Sequence, residues 1–332
     1  MRSRTDGQRP GEFELIARYF APLSGEGAFG LVDDAALVAV TPGKALAMTQ
    51  DAVMSGVHFL PDDPPDLIAA KALRVNLSDL AAKGATPSAF SLALGLHDGW
   101  DEAWIAGFAE GLARDCADYK LSLSGGDTFR APGGPVISIT AWGEIDRAAY
   151  KSRLGARPGD LLFVTGTIGD GAIGLKVRLG EAGYRDLPGA SILLSLYLAP
   201  RPPVRFAPLI AQFASASMDI SDGFVGDLRK MAKASGVTME VEAKALPYSP
   251  QVRDSLALPG GLMAALTGGD DYQFLFTVNP AHLDAFRQAV TSQDVKVTQI
   301  GRVLPADAQA PVVIRELKGV DLTASPGSYS HF

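Results

Sequence analysis

Six short acidic islands hold most of the residues that could do chemistry: Asp33–Asp34, Asp51 after ALAMTQ, Asp79 in Asn76–Asp79, Asp127 in SGGDT, Asp219 and Asp222 in MDISDG, and Asp270–Asp271 in TGGDDY. Taken singly, each reads as a turn or a helix cap, because Asp beside Gly is ordinary turn chemistry. Taken together, all but Asp79, which a helix carries, recur where apolar strands begin or end, and open α/β sheets place ligands beyond their strand ends. Asn76 and Asp79 are spaced to share one helical face. Two carboxylates roughly 4 Å apart repel by roughly 1 to 4 kcal/mol between water-like and surface-like dielectrics, so a converged set requires cations. Oxygen donors without His or Cys select Mg²⁺ or Ca²⁺ over zinc, and Mg²⁺ bridges one or two carboxylates to phosphates. A polyphosphate is therefore the expected ligand. Gly125, Gly126, Gly223, Gly268 and Gly269 would let backbone N–H groups approach it, and Arg153 or Arg130 would neutralise remaining charge; ordinary turns are the alternative for these glycines.

Other solutions to the same chemistry are missing from the sequence. Gly25–Gly30 matches G-x-G-x-x-G, but it follows a helical pattern and leads into an apparent strand, the reverse of a dinucleotide fingerprint. There is no H-R-D, D-F-G, P-loop or G-x-S-x-G motif, and His58, His97, His282 and His331 are too dispersed for a zinc site.

A length of 332 residues suggests two domains or one large α/β unit. The formal charge of −7 gives no footprint for nucleic acid or an anionic membrane. Cys116 is the sole cysteine, so no internal disulfide can form, and it reads as a buried thiol. No apolar run approaches the roughly 18 residues of a membrane span, and the first residues lack a signal-peptide core, which makes a soluble cytoplasmic protein the expectation.

The elements that must position the acids follow from hydrophobic periodicity. A helix starts at Phe13, strands are expected at Ala35–Val40 and Ala45–Thr49, a helix opens at Pro64–Pro65, a strand spans Ser88–Leu96, a helix begins at Asp101, and strands at Leu121–Ser124 and Val136–Trp142 complete a first α/β half. Asp146–Asp160, basic and punctuated by Gly and Pro, is the expected boundary. The second half alternates again. Helices are expected at Gly171–Gly180, Pro203–Phe213, from Gly223 and at Pro280–Val290, and strands at Leu161–Val164, Ser215–Ile220, Val237–Val241, Tyr272–Val278, Val295–Val303 and Val312–Ile314.

Read in order, DDAA from Asp33, Thr49-Gln50-Asp51, His58-Phe59-Leu60-Pro61, VNLSDLAA from Val75, Gly125-Gly126-Asp127-Thr128, Ser152-Arg153, DISDG from Asp219 and GGDDY from Gly268 resemble the thiamine-monophosphate kinase family, within the aminoimidazole-ribonucleotide-synthetase-like superfamily. The resemblance spans nearly the whole chain. It implies an α/β (α+β) fold of two domains, 1–148 and 149–332, with ATP between them and a homodimer paired through the N-terminal halves. It also implies that Asp34, Thr49, Gln50, Asp51, Asp79, Asp127, Asp219 and Asp222 hold several Mg²⁺ ions, and that Gly126, Asp127, Arg153 and Ser221 contact ATP. His58, Asp270 and Tyr329 would contact thiamine monophosphate, and a monovalent cation has a place in the scheme. Three departures from the family pattern stand out: Val32 replaces a Gly, Gln50 a Thr or Ser, and Asp270 a Glu one methylene longer.

The resemblance implies direct transfer of the γ-phosphoryl group of ATP to the substrate's phosphate, with Asp127, Asp79 and Arg153 positioning and no general base, since a phosphate oxygen is already deprotonated at neutral pH. The rivals are a selenophosphate synthetase, which Cys116 does not suit, a purine-pathway cyclo-ligase, and a non-catalytic MgATP-binding module.

Overall fold

The structure, a computed structural model, describes residues 9–307 and 310–317. The chain divides into two compact units, Met1–Asn76 with Pro87–Glu144 and Leu77–Thr86 with Ile145–Phe332.

In the first unit α1 (Glu12–Leu15), β1 (Ala45–Met54), α2 (Pro65–Ala82), β2 (Thr86–Leu96), α3 (Glu102–Tyr119), β3 (Ser122–Arg130) and β4 (Val136–Ile145) follow one another, the last residues of α2 grouping with the second unit. Asp101 caps α3 by accepting the Trp104 N–H at 2.8 Å, and Lys120 in the left-handed conformation ends it. The strands form one sheet in the order β1-β4-β2-β3. Along β4 every second residue is buried, Ile137, Ile139, Ala141 and Ile145 alternating with half-exposed Ser138, Thr140 and Glu144, so the sheet has one apolar face. Edge strand β1 instead shows Leu46, Met48 and Met54 to solvent, Met48 being 72% exposed.

Helices α2 and α3 lie side by side: Gly111 meets the Asp66 backbone too closely for a Cβ, and the Arg74 guanidinium makes two hydrogen bonds to Asp115, at 2.8 and 2.7 Å. Asp115 is 1% exposed, and burial outweighs its partner and lifts its carboxyl above the usual range.

Three expectations for this unit are corrected. Ala35–Val40 forms no strand, because the Leu37 N–H donates to the Gly27 carbonyl at 2.8 Å instead of joining a ladder. The strand expected to end at Thr49 runs on to Met54, and the one expected to end at Ser124 runs on to Arg130. Asp51 and Asp127 are therefore strand residues, not residues beyond a strand end.

The second unit contains β5 (Leu161–Thr165), α4 (Asp170–Arg178), α5 (Ala190–Leu198), α6 (Ala207–Phe213), β6 (Ala214–Ile220), α7 (Phe224–Ser235), β7 (Thr238–Glu242), α8 (Pro250–Ser255), α9 (Gly261–Thr267), β8 (Gln273–Val278), α10 (Leu283–Val290), β9 (Val297–Leu304) and β10 (Val312–Arg315). The sheet order is β10-β7-β9-β5-β8-β6, antiparallel except for the β10/β7 pair. Ala216, Met218 and Ile220 of β6 join Leu228 and Met231 of α7 in the main core, so the alternate residues Ser215, Ser217 and Asp219 face the other way. On that second face Phe163 stacks on Phe276, and both meet Phe286 of α10 edge-on. The helix expected over Pro203–Phe213 is split into a 3₁₀ turn, Val204–Phe206, and α6. Helix α5 escapes a periodicity reading because ASILLSLYL is apolar almost all round.

Replacing Arg74 with Ala strands a buried carboxylate, and we expect urea unfolding to show a loss of about 3 to 5 kcal/mol. The double change Arg74→Leu with Asp115→Leu should lose far less, since no charge is then left in the interior.

Candidate active site

In the first unit a cleft of about 330 Å³ takes Asp34 and Asp127 into its wall together with Ser124, Gly125 and Gly126. The backbone of β3 explains how Asp127 arrives there. Leu123 pairs with Phe90 of β2 and Gly125 with Ser91, so Ser124 is an extra residue, a bulge of the kind that re-aims the side chains after it. Gly126 then lies so near the Leu92 carbonyl that a Cβ could not fit. Apolar residues, among them Phe20, Leu92 and Leu123, supply the rest of the wall, and Ala28 and Leu31 bring in the glycine-rich segment. Trp142 also lines the cleft; its buried indole N–H has no hydrogen-bond partner among the described residues.

Thr49, Gln50 and Asp51 lie on β1 and do not line this cleft. The Asp51 N–H donates to Asn76 Oδ1 at 3.0 Å, and the Asn76 amide donates to the Ala72 carbonyl at 3.0 Å, so the buried amide of α2 serves to tie helix to strand. Gln50 donates to Ser138 Oγ at 3.2 Å. His58 Nδ1 accepts the Met54 N–H at 3.1 Å, closing the loop after β1. Arg130 makes two hydrogen bonds to Asp98 at the surface, and the charge of Arg153 acts on Lys83.

The second unit gathers a larger group. Asp219, on β6 and 6% exposed, accepts the Ser78 hydroxyl at 2.7 Å, and Asp79 stands beside that serine in α2. Burial pushes the Asp219 carboxyl well above its ordinary value; the negative charge of Asp79 pushes it further, and Lys83 opposes both. Lys83 is itself lowered to about 8, first by burial and then by Arg153, against the pull of Asp219 and Asp79. Its ammonium donates to the Ser217 carbonyl at 2.7 Å.

After β6 the chain turns at Gly223, whose φ of 119° no side-chain-bearing residue adopts readily, and enters α7. Buried Asp227 accepts the Ser221 and Asp222 N–H groups, each at 3.0 Å, and Lys230 bridges Asp227 and Asp222. The loop before β8 lies against this turn: the Asp270 N–H donates to the Ser221 carbonyl at 2.9 Å and the Tyr272 N–H to the Ile220 carbonyl at 2.8 Å. Ser221, Asp222 and Asp270 are thus brought together. Asp271 points elsewhere, accepting the Gly169 and Gly171 N–H groups at 2.6 and 3.0 Å where α4 begins. Tyr329 lies outside the described residues.

Among the described residues no group of three or more His, Cys, Asp or Glu side chains is disposed to hold a metal ion. The donors nevertheless suit a hard divalent ion, being oxygens throughout, and Mg²⁺ needs only one or two carboxylates when phosphates supply the rest. A buried acid raised by a neighbouring acid is the local charge imbalance that such an ion relieves. Sequence reasoning missed Lys83, Trp142, Asp227 and Lys230; only the helical spacing of Asp227 and Lys230 carried a signal.

Comparison with known proteins matches two family models, the AIR synthase related protein N-terminal domain over residues 32–145 and its C-terminal domain over residues 157–314. A thiamine-monophosphate kinase of Caulobacter vibrioides is 40% identical over 97% of this chain and 91% of its own. The chain belongs to the thiamine-monophosphate kinase family. Its fold agrees: the family's crystal structure from Stenotrophomonas maltophilia K279a superposes with a TM-score of 0.77 at 36% identity, covering 86% of this chain and 90% of that one. The structure of AaThiL complexed with AMPPCP and TMP gives a TM-score of 0.76 at 32% identity, covering 92% and 97%. No helix among the described residues is long and apolar enough to cross a membrane.

The raised Asp219 carboxyl has a measurable sign. A group that holds its proton more tightly when folded costs stability as pH rises from its unfolded value of 3.8 through its folded value. In chelator, Asp219→Asn should therefore melt near wild type at the acid end of that window and above wild type at about pH 7, with the gap narrowing when Mg²⁺ is added to both.

Proposed function

We propose that the protein phosphorylates thiamine monophosphate, transferring the γ-phosphoryl group of ATP directly to the substrate's phosphate to give thiamine diphosphate and ADP. The observation that carries this reading is the near full-length likeness to curated thiamine-monophosphate kinases and to AaThiL complexed with AMPPCP and TMP. The acceptor oxygen is already an anion at neutral pH, so no side chain has to remove a proton and catalysis consists of alignment and charge compensation. That suits a site with many carboxylates and no obvious base.

In this reading Asp34, Thr49, Gln50, Asp51, Asp79, Asp127, Asp219 and Asp222 hold Mg²⁺. Bound there, Mg²⁺ supplies neutralisation of the phosphate charge that would otherwise keep donor and acceptor apart. Gly126, with its close-approaching backbone, Asp127, Arg153 and Ser221 seat the nucleotide. His58, Asp270 and Tyr329 orient the thiamine phosphate, the shorter Asp270 reaching it from a backbone held by Ser221. Residues 1–148 form the dimerising, phosphate-binding half and 149–332 the half that completes the ATP and substrate contacts. A homodimer in the cytoplasm is part of the proposal, supported by the exposed Leu46, Met48 and Met54 of the edge strand.

Incubation with MgATP and thiamine monophosphate, followed by mass measurement of the products, should yield thiamine diphosphate and ADP; a product only with selenide or with a purine precursor, or nucleotide binding without turnover, would refute the reading. Asp127→Asn and Asp79→Asn, folded normally, should each lose at least about a hundredfold in kcat, and chelation should abolish turnover of the wild type. Sedimentation should show a dimer that Met48→Lys weakens.

A further inference from the structure

Two lysines that this phosphoryl-transfer reading does not use lie close to its carboxylates, Lys230 in direct contact and Lys83 through its charge. Lys230 of α7 donates to Asp222 and, at 2.8 Å, to Asp227. Asp227 has no exposed surface and grips the Ser221 and Asp222 N–H groups, so the ammonium, the buried acid and the turn form one connected unit. Lys83 follows the last turn of α2. Its Nζ donates to the Ser217 carbonyl, and its own carbonyl accepts the Lys151 N–H at 3.1 Å, so both ends of the residue are held. Asp219 is two residues further along β6 from Ser217, on the same face. The charged groups whose fields reach Lys83 are Asp219, Asp79 and Arg153.

An ammonium is a strongly hydrated point charge, and taking it out of water beside a buried acid is tolerated only if the acid compensates it. A divalent ion approaching Asp219 or Asp222 meets a positive charge already in place. Each lysine has a bland alternative: Lys83 could merely satisfy a carbonyl on the edge strand, and Lys230 could be an ordinary helix-surface pair with Asp227.

We propose that Lys83 and Lys230 are positioning residues that offset, without cancelling, the charge of Asp219 and Asp222 at rest, each ammonium standing in part for a divalent cation until ion and nucleotide arrive together. The proposal rests on the phosphoryl-transfer reading for its purpose but makes a separate claim about the nucleotide-free protein. Free ions bind weakly to such a site, whereas an ion carried in on phosphates brings its own countercharge, so loading is coupled to the nucleotide.

The test is a titration of the full, nucleotide-free chain with Mn²⁺, followed by the spin-resonance signal of the free ion. Lys83→Met and Lys230→Met keep the apolar stem and remove the charge; each should lower the Mn²⁺ concentration at half-saturation on the order of tenfold. Lys83→Arg and Lys230→Arg should stay within about twofold of wild type, because they retain the charge. The ion-free Met variants should melt below wild type and regain the loss on adding Mn²⁺. A folded Met variant with unchanged or weaker Mn²⁺ affinity overturns the proposal for that lysine, and a lower melting temperature with unchanged affinity does the same, since a mere strut would give that result. Lys230 is partly exposed, so its variant decides the matter if Lys83→Met fails to fold. A wild type without kinase products whose Met variants still bind Mn²⁺ more tightly would sink the functional reading and leave the lysine proposal standing; active protein with unshifted Mn²⁺ binding would do the reverse.

Discussion

Taking a carboxylate out of water costs several kcal/mol unless something in the interior answers it, and the second unit answers this cost in three different ways. Asp271 receives two backbone N–H groups where α4 begins. Asp227 receives two more from the Ser221–Asp222 turn and an ammonium from Lys230. Asp219 receives one hydroxyl from Ser78, faces the charge of Asp79, and has Lys83 as its only opposing cation among the groups that set its titration. The first two are structural acids with full complements. Asp219 is short of partners, and that deficit is why the proposed metal-holding role falls to it and not to the acids that hold a loop.

The local backbone turns this electrostatic fact into a place. The φ of Gly223 lets the chain reverse between β6 and α7, and the Asp270 and Tyr272 N–H groups fasten the preceding loop of β8 onto that reversal. The bulge at Ser124 lets β3 continue through two glycines and carry Asp127 to the wall of the cleft in the first unit. In both units glycine stands where backbone meets backbone: at Gly126 the obstacle is the Leu92 carbonyl, at Gly223 that of Thr267.

Much of the fold was legible in the residues. Periodicity located α2, α3, α7 and the strands of both sheets because each has an apolar stripe or alternation to bury. It failed at Ala35–Val40, where β-forming residues find their hydrogen bonds in a glycine-rich segment, and at α5, whose apolar surface hides its period. The site was legible as a set of islands, two of them misplaced along the strands. Asp51 and Asp127 read as strand-end residues because Gly and Asp signal turns, whereas an edge position and a bulge accommodate them inside β1 and β3; Asp219 does lie next to the last residue of β6.

By itself the sequence determined the inventory: oxygen donors in a particular order, glycines beside them, no recognisable nucleophile or zinc motif, and a family membership spread over almost the full length. Those are properties of residue type and order, which the chain carries without any folding. Tertiary structure alone decided which acids lose their water, and that Lys83 stands by Asp219. Dielectric and counter-charge depend on neighbours that are distant in sequence, as Ser78 is from Asp219, and no local pattern encodes them.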